Sequence, residues 1–172
     1  MTKINLAKQI FQISHLTGSF KLRSGIISDE YFDKYQFESN PELLNEITKH
    51  LTEIINFDYD LLAGLEVGGI PIATALSLIT NKPMVFVRKK AKEYGTRKFA
   101  EGQDIKNKKL LIVEDVVTSG GQIVLSVEAL RREGAKIDKA VCIIDREQGG
   151  KEALKKIDIE LLPLFNMSEL KT

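Results

Sequence analysis

Residues 61–165 alternate short apolar runs with longer amphipathic stretches, and this alternation limits the possible fold more than any other feature. The apolar runs have the length of buried strands, and the stretches between them carry apolar residues at helical spacing. Strands that alternate with helices usually pair in parallel, with helices on both faces of the sheet. The pattern predicts strands at 61–64, 84–87, 109–113, 140–144 and 161–165, and helices at 70–80, 121–133 and 151–156. We therefore expect an α/β fold with a central, mainly parallel sheet flanked by helices.

The N-terminal segment, up to about residue 40, follows another pattern and predicts a small hood over one end of that sheet. Apolar residues at helical spacing predict a first helix that ends near Gly18. Residues 20–35 alternate in short pieces, as in a β-hairpin or a pair of extended arms. Asn40 followed by Pro41 predicts the start of a second helix, because Asn caps helices and Pro fits their first turn. With 172 residues, the chain is expected to form a single domain.

Composition excludes several classes of protein. Hydrophobic residues make up 43% and charged residues 28%, which is typical of a folded chain rather than a disordered one. The net charge of +1 does not favour a surface built to bind nucleic acid or an anionic membrane. Cys142 is the only cysteine and lies in an apolar run, which predicts a buried core thiol rather than a disulfide or a zinc site. The absence of a long apolar stretch predicts a cytoplasmic protein.

The strongest chemical signal is at residues 110–121, where an apolar strand leads into Glu114 and Asp115 and then into Val116, Val117, Thr118, Ser119, Gly120 and Gly121. A small-residue turn that opens a helix presents backbone N–H groups and a partial positive charge, which together bind phosphate. Two acids beside such a turn would repel phosphate, so we expect them to bind the two hydroxyls of a ribose. Alternatively, Ser119 only caps the helix and the acids lie on the surface.

Two other phosphate-binding motifs are absent from this segment. A P-loop nucleotide hydrolase would need Gly-Lys followed by Ser or Thr, and a dinucleotide-binding fold would need spaced glycines directly after its first strand. The segment instead resembles the phosphoribosyl pyrophosphate (PRPP) motif of type I phosphoribosyltransferases. The resemblance implies that Glu114 and Asp115 are catalytic residues that contact the ribose hydroxyls. It also implies that residues 116–121 surround the 5-phosphate.

Three further segments resemble orotate phosphoribosyltransferases in particular. The first runs from Phe20 to Asp33 and is similar to the N-terminal segment that contacts base and PRPP in that family. The resemblance implies orotate contacts from Arg23, Tyr31 and Phe32, together with Thr118 of the phosphate turn. The family often has Lys at the position of Arg23, and Arg keeps the charge while changing its shape. Without the other motifs, this segment is equally typical of a plain hairpin.

The second segment, residues 64–71, lies between a predicted strand and a predicted helix. It is similar to the loop that lies under the pyrophosphate in the family, which implies PRPP contacts from Glu66, Gly68 and Gly69. Glycine lets backbone N–H groups approach an anion closely at a helix start. A purely structural turn is the alternative.

The third segment, residues 88–98, contains six cations and one acid in eleven residues. Such a run is commonly a solvated loop. Its position after a predicted strand favours a binding role, and it resembles the mobile catalytic loop of the family. The resemblance implies that Arg88, Lys89, Lys92 and Tyr94 contact PRPP and that Lys92 is catalytic. Many family members have His where this chain has Tyr94, and a phenol can still donate a hydrogen bond.

A smaller match follows the predicted strand 140–144, where Arg146 stands at the position of the residue that binds orotate in the family. The planar fork of a guanidinium suits a carboxylate and the adjacent carbonyl. An Arg in a surface turn is the alternative. The matches extend from about Phe20 to Phe165 and occur in the family's order.

The resemblance implies an enzyme that converts PRPP and orotate into orotidine 5'-phosphate and pyrophosphate in pyrimidine biosynthesis. It implies Mg²⁺ carried by PRPP oxygens and water rather than by a protein cage, because Mg²⁺ keeps waters and binds through substrate phosphates. It also implies a homodimer with shared active sites and no nucleic-acid or membrane partner. Two alternatives remain open, a phosphoribosyltransferase for another base and a PRPP-sensing regulator that binds nucleic acid.

Overall fold

The computed structural model describes residues 1–21, 25–91, 93, 95 and 98–171. Within them the helices are α1 (Lys3–Ser14), α2 (Tyr35–Glu38), α3 (Pro41–Ile54), α4 (Gly69–Thr80), α5 (Gly121–Arg132), α6 (Gly150–Lys155) and α7 (Met167–Leu170). The strands are β1 (His15–Lys21), β2 (Ile27–Phe32), β3 (Leu61–Leu65), β4 (Met84–Val87), β5 (Ala100–Gly102), β6 (Lys109–Val117), β7 (Lys136–Asp145) and β8 (Glu160–Asn166).

The central sheet has six strands in the order β5-β4-β3-β6-β7-β8. All neighbouring strands are parallel except β4 and β5, which are antiparallel. This confirms the predicted α/β fold with a mainly parallel sheet. The chain leaves β3 toward β4 on one side, while β6 lies on the other side of β3. A parallel sheet opens a crevice beyond the carboxyl ends of its strands at such a switch point, and the predicted site segments follow β3 and β6.

Both faces of the sheet are buried, which explains why its strands are continuously apolar. Alternate residues of β6 point to opposite sides: Leu111 and Val113 belong to one core cluster, and Leu110 and Ile112 to the other. The first cluster includes apolar residues of α1, α3 and α4, and the second includes those of α5 and α6. Cys142 lies in the second cluster and is fully buried, as predicted, and burial raises the pKa of its thiol.

The N-terminal helix is shorter than predicted. It ends at Ser14 and leads directly into β1, so Gly18 lies inside a strand and does not end the helix. The reason is that His15 is already extended and pairs with Phe32, while Gly18 lies where the register of the hairpin shifts. The predicted hairpin is confirmed, because β1 and β2 form a separate antiparallel sheet.

The second predicted helix begins where the sequence indicates. The side chain of Asn40 accepts hydrogen bonds from the backbone N–H groups of Glu42 and Leu43, and Pro41 occupies the first turn of α3. No helix of the described residues is long and apolar enough to cross a membrane.

The two longest strands extend beyond their predicted ends. β6 continues to Val117 instead of ending at 113, because Glu114 and Val116 keep pairing with residues of β7. The acids that were expected to follow the strand are therefore part of it. The sequence pattern also missed α2, β5 and α7, which have only three or four residues and so show no periodicity.

Candidate active site

A cavity of about 340 Å³ opens at the carboxyl ends of β3 and β6, at the switch point of the sheet. It brings together three predicted segments: Glu66 and Gly68 after β3, Lys89 after β4, and Glu114 through Gly121 along β6 and its turn. Residues that the sequence did not predict also line it, namely Lys34, Tyr35, Val67, Gln122 and Ile123. Three predicted site residues, Arg23, Lys92 and Tyr94, lie outside the described part of the chain.

The turn between β6 and α5 has the form of a phosphate cradle. Thr118 and Ser119 are exposed, and Gly120 has a φ of 76°, a left-handed conformation that favours glycine. Gly150 supports this turn from below, because a Cβ on it would lie 2.8 Å from the carbonyl oxygen of Thr118. The first N–H groups of α5 lack partners within the helix and point toward the turn. The segment can therefore hold an anion against the N-terminus of α5.

The turn after β3 packs directly against the acid pair. An ideal Cβ at Gly68 would lie 1.4 Å from Oδ2 of Asp115, and one at Gly69 would lie 2.2 Å from the carbonyl oxygen of Val113. Both glycines are thus needed for close packing of the turn on β6. Gly68 lines the cavity, whereas Gly69 begins α4 beneath it.

Glu66 joins the turn after β3 to the basic segment. Its Oε1 atom accepts a hydrogen bond of 2.6 Å from the backbone N–H of Lys89. In the same segment, Nε of Arg88 lies 3.4 Å from Oε1 of Glu101 on β5, and Arg88 does not line the cavity described above. The carboxylate of Glu66 therefore fixes the start of the basic segment.

Asp115 is almost completely buried, with 1% of its surface exposed. Its Oδ2 atom accepts from Nζ of Lys34, and its Oδ1 atom accepts from the backbone N–H of Val116. Oε1 of Glu114 accepts from the backbone N–H of Asp115 at 3.0 Å. The two acids are thus held by the backbone of β6 and by one cation.

A third carboxyl group, that of Glu38 in α2, joins this cluster. Burial, and then the charge of Asp115, raise the pKa of Glu38 to about 9 and that of Glu114 to about 8. Burial alone would lower the pKa of Lys34, but the charge and hydrogen bond of Asp115 raise it above its ordinary value. The sequence offered no signal for Lys34 and Glu38 beyond a Lys and a Glu four residues apart.

A second cavity, of about 270 Å³, contains three of the five residues that were predicted to contact orotate. Tyr31, Phe32 and Arg146 line it, together with His15, Glu30 and other residues of α1, β2 and the C-terminus. Nε2 of His15 lies 2.8 Å from Oε2 of Glu30. The hydrogen bond with His15, followed by the charges of Lys171 and Arg146, lowers the pKa of Glu30.

The two cavities are linked by the ends of β6 and β7. The backbone N–H of Arg146 donates to the carbonyl oxygen of Val117 at 2.8 Å, next to the phosphate turn. Thr118 lines the first cavity, whereas Arg146 lines the second. Among the described residues, Tyr31, Phe32 and Arg146 thus line a cavity beside the one that contains Thr118 and most of the predicted PRPP residues.

The site fits a magnesium ion that a substrate carries. Among the described residues, no group of three His, Cys, Asp or Glu side chains could hold a metal ion by itself. The cavity does offer the hard carboxylate oxygens of Glu114 and Asp115. Mg²⁺ prefers such oxygens and commonly takes its remaining ligands from substrate phosphates and water.

Comparison with known proteins agrees with this geometry. Residues 35–163 match the phosphoribosyl transferase domain family. The chain is 46% identical to an orotate phosphoribosyltransferase of Nocardioides over 96% of its length and 92% of that protein. It is 41% identical to one of Methanocaldococcus jannaschii, with 98% and 95% covered. A crystal structure of Mycobacterium tuberculosis orotate phosphoribosyltransferase has a TM-score of 0.86 at 26% identity, with 99% of both chains covered. The chain belongs to the orotate phosphoribosyltransferases.

Proposed function

We propose that this chain transfers the ribose 5-phosphate group of PRPP to orotate, giving orotidine 5'-phosphate and pyrophosphate, in the biosynthesis of UMP. The observation that carries the proposal is a single cavity in which an acid pair, a phosphate cradle and a glycine turn face one another. These three features suit the ribose, the 5-phosphate and the diphosphate of one substrate. The two relatives at 41% and 46% identity support orotate as the acceptor.

The turn from Val116 to Gly121 would bind the 5-phosphate. Backbone N–H groups at the start of α5 and the hydroxyls of Thr118 and Ser119 would donate hydrogen bonds to its oxygens. Gly120 allows the backbone to curve around the anion without a side chain in the way. This contact would fix the sugar end of PRPP.

Glu114 and Asp115 would accept hydrogen bonds from the two ribose hydroxyls. Each carboxylate oxygen can accept more than one hydrogen bond, so the contacts with Lys34 and Val116 leave room for a substrate hydroxyl on Asp115. As the bond from C1 to the diphosphate loosens, the ribose gains positive charge. A negative charge held nearby in a buried site stabilises that charge in the transition state.

The diphosphate would lie over the turn that contains Glu66, Gly68 and Gly69, within reach of the basic segment. Lys89 lines the cavity, and Arg88, Lys92 and Tyr94 belong to the same segment. These groups would neutralise the departing diphosphate, with Lys92 as the catalytic cation, and would exclude water from PRPP. Mg²⁺ bound to PRPP would add positive charge on the leaving group, with Glu114 and Asp115 as the nearest protein oxygens.

Orotate would bind where the second cavity meets the phosphate turn. The guanidinium of Arg146 suits the orotate carboxylate, and Phe32 and Tyr31 offer aromatic surface for a planar ring. Arg23 and Thr118 would be the other two residues that contact orotate. The selection of orotate over uracil would depend on the cation, since the two bases differ by that carboxylate.

The remaining parts of the proposal concern assembly and location. The chain would act as a homodimer in the cytoplasm, with the basic segment of one subunit reaching the cavity of the other. Its residues 1–172 would form one phosphoribosyltransferase domain, in which residues 1–40 serve as a hood. No nucleic acid or membrane would take part.

The test is an absorbance assay of orotate consumption with PRPP and Mg²⁺, run beside uracil, adenine and hypoxanthine. We expect PRPP-dependent loss of orotate and formation of orotidine 5'-phosphate, with little turnover of the other bases. Faster turnover of a purine or of uracil would contradict orotate as the acceptor. A chain that binds PRPP but consumes none of the bases would contradict the proposed reaction.

A further inference from the structure

The turn after β7 carries Arg146, and the residue that follows it, Glu147, ties this turn to the C-terminal helix α7. Oε2 of Glu147 accepts a hydrogen bond of 2.9 Å from the backbone N–H of Ser168, and its Oε1 accepts one of 3.1 Å from the hydroxyl of the same residue. A carboxylate that uses both oxygens on one partner is fixed in direction as well as in distance. The proposed reaction assigns no role to Glu147.

The topology of the sheet explains why Glu147 and Ser168 meet. β7 and β8 are parallel neighbours, and their last residues, Asp145 and Asn166, are paired. The residues that follow them therefore leave the same edge of the sheet side by side, although Glu147 and Ser168 are 21 residues apart along the chain. Leu170 is buried in the first core cluster and anchors α7 to the body of the protein. The C-terminal helix thus offers a fixed surface to the turn.

The backbone of Glu147 has a φ of 57°, a left-handed conformation that costs free energy for a residue with a side chain. Asp145, which is 4% exposed, stabilises this conformation, because its Oδ1 accepts from the backbone N–H of Glu147 at 2.9 Å. Glu147 is therefore held by its backbone on one side and by its side chain on the other. Strained backbone persists where surrounding contacts determine it, and such positions cluster at ligand sites.

The turn that Glu147 holds also positions Arg146. The backbone N–H of Arg146 donates to the carbonyl oxygen of Val117 at 2.8 Å, beside the phosphate turn. Arg146 lines the second cavity together with Met167 of α7 and Lys171 directly after that helix. The helix that Glu147 contacts is therefore one wall of the cavity proposed for orotate. A turn that moved away from α7 would separate Arg146 from that wall.

We infer that Glu147 is a positioning residue for the selection of orotate: by binding Ser168, it holds the turn against α7 and sets the guanidinium of Arg146 for the orotate carboxylate. The inference rests on the proposed function, since it requires Arg146 to bind orotate. Groups that bind a substrate must be held within about 0.5 Å of their productive geometry. Glu147 would not touch the substrate, so its loss should weaken the contact made by Arg146 and leave PRPP binding unchanged.

The test compares the steady-state kinetics of wild type, Glu147→Ala, Glu147→Asn, Glu147→Gln and Ser168→Ala. Glu147→Ala should raise the KM for orotate about three- to tenfold, the range expected for the loss of one net hydrogen bond, with the KM for PRPP unchanged. The inhibition constant of uracil against orotate should also stay unchanged, because uracil lacks the carboxylate that Arg146 is proposed to bind. A general distortion of the cavity would weaken both bases.

Two replacements separate the carboxylate from the backbone. Asn adopts the left-handed conformation readily but has a shorter side chain, so Glu147→Asn should be as impaired as Glu147→Ala. Gln keeps the length and one carbonyl oxygen, so Glu147→Gln should retain most of the orotate affinity.

Double variants show whether these residues act together. Ser168→Ala keeps its backbone N–H, so it should raise the orotate KM less than Glu147→Ala does and should have no effect in the Glu147→Ala background. Glu147→Ala should likewise add nothing to Arg146→Ala, because it acts through Arg146.

Glu169→Ala is the matched control. Glu169 also accepts from a backbone N–H at α7, that of Asn166 at 2.6 Å, but it does so within the cap of the helix and not from the Arg146 turn. Its replacement should lower the free energy of unfolding and leave the orotate KM unchanged.

The outcomes separate the two proposals. If wild type consumes no orotate with PRPP, the proposed function fails. If wild type consumes orotate and Glu147→Ala has a normal orotate KM, or Glu147→Asn restores it, the role of Glu147 is wrong. Equal increases in Glu147→Ala and Glu169→Ala, or an equal weakening of uracil, would also contradict that role, since loosening of α7 would then explain the effect.

Discussion

The carboxylate of Asp115 occupies the space that a side chain at Gly68 would fill, since an ideal Cβ there would lie 1.4 Å from Oδ2. Gly68 lies in the turn after β3, and Asp115 lies near the end of β6. β3 and β6 are neighbours and parallel, so their carboxyl ends meet at one edge of the sheet. The turn proposed for the diphosphate and the acid proposed for the ribose are therefore in direct contact.

Gly68→Ala should inactivate the enzyme without unfolding it. The new methyl group must displace Asp115, and a misplacement of about 1 Å at a reacting site can lower the rate about 10²-fold. Overpacking should also lower the free energy of unfolding by about 1–3 kcal/mol. Steady-state kinetics and urea unfolding measure the two effects.

Gly18→Ala is the control for this change. A Cβ at Gly18 would meet only the ring of Phe20, at 3.2 Å, in the exposed strand β1. It should leave the activity near wild type. Equal losses in both variants would indicate a general effect of replacing glycine, and normal activity in Gly68→Ala would show that Asp115 can move freely.

Glu66 should act as a positioning residue for the basic segment. Glu66→Ala removes the acceptor of the Lys89 N–H, and we expect kcat/KM for PRPP to fall about tenfold, the effect of losing one charge-assisted hydrogen bond. Glu66→Gln keeps a carbonyl oxygen at the same place and should retain most of the activity. If Glu66→Gln is as impaired as Glu66→Ala, the negative charge and not the hydrogen bond is what matters.

The sequence predicted the main strands and helices because each is long enough to show its apolar period. The strands of the sheet are buried on both faces and the helices on one, and both patterns can be read directly from the chain. The elements that the sequence did not predict correctly are either too short to show a period or depend on pairing with a neighbouring strand. β6 is longer than its apolar run because β7 continues to pair with it past Glu114. Such pairing depends on the neighbouring strand and not on the residues of β6 alone.

The candidate site was predicted only where it consists of contiguous motifs. The phosphate turn, the glycine turn and the acid pair are local patterns, and the cavity contains all three. Lys34 was missed because its partner Asp115 is 81 residues away along the chain. Gly150 was missed as a support of the phosphate turn for the same reason, since its contact with Thr118 arises only when α6 packs beside α5.

The stability of the ligand-free protein should depend on pH through Glu38 and Glu114. Their folded pKa values, about 9 and about 8, lie above the ordinary value of 4.5, so the folded chain holds protons that the unfolded chain releases. Their contribution is complete below pH 4.5 and is lost as the pH rises through about 8 and about 9. Urea unfolding across this range should show a decline that Glu38→Gln makes shallower.

The contribution of Glu46 to the free energy of unfolding should change with pH in the opposite direction in the same experiment. Hydrogen bonds from Lys49 and the N-terminal ammonium lower its pKa to about 2, so its contribution is present at neutral pH and is lost in acid. Glu46→Gln should therefore lower the free energy of unfolding at neutral pH, lose that difference from wild type in acid, and leave the decline at high pH unchanged. A decline at high pH that is the same in wild type and Glu38→Gln would contradict the protonated state of Glu38.

Mixed dimers should show whether the basic segment serves the neighbouring subunit. Lys92→Ala and a Glu114→Gln/Asp115→Asn double variant should each be nearly inactive alone. If the segment reaches the other subunit, a hybrid dimer contains one site with every residue intact, and an equal mixture should regain up to about a quarter of wild-type activity. Hybrids that are isolated by two affinity tags and show no recovery would mean that each subunit completes its own site.

Arg146 should select orotate over uracil. Arg146 lines the cavity of Tyr31 and Phe32, and its backbone N–H donates to the carbonyl oxygen of Val117 beside the phosphate turn. A charge-assisted pair with the orotate carboxylate should contribute roughly 1.5–3 kcal/mol, so Arg146→Ala should weaken orotate binding about ten- to a hundredfold. The KM for PRPP should change much less. Arg146→Lys should recover only part, because an ammonium cannot offer the bidentate fork.

Three other cations could serve the carboxylate instead, and the same assay on each decides between them. Lys171 lines the cavity with Arg146, Lys21 ends β1, and Arg23 follows it in the chain. Because the backbone N–H of Arg146 is hydrogen-bonded to the strand end beside the phosphate turn, we expect its replacement to have the largest effect on the orotate KM. A normal orotate KM in Arg146→Ala, together with a raised one in an Arg23 variant, would place the base contact on the N-terminal hairpin.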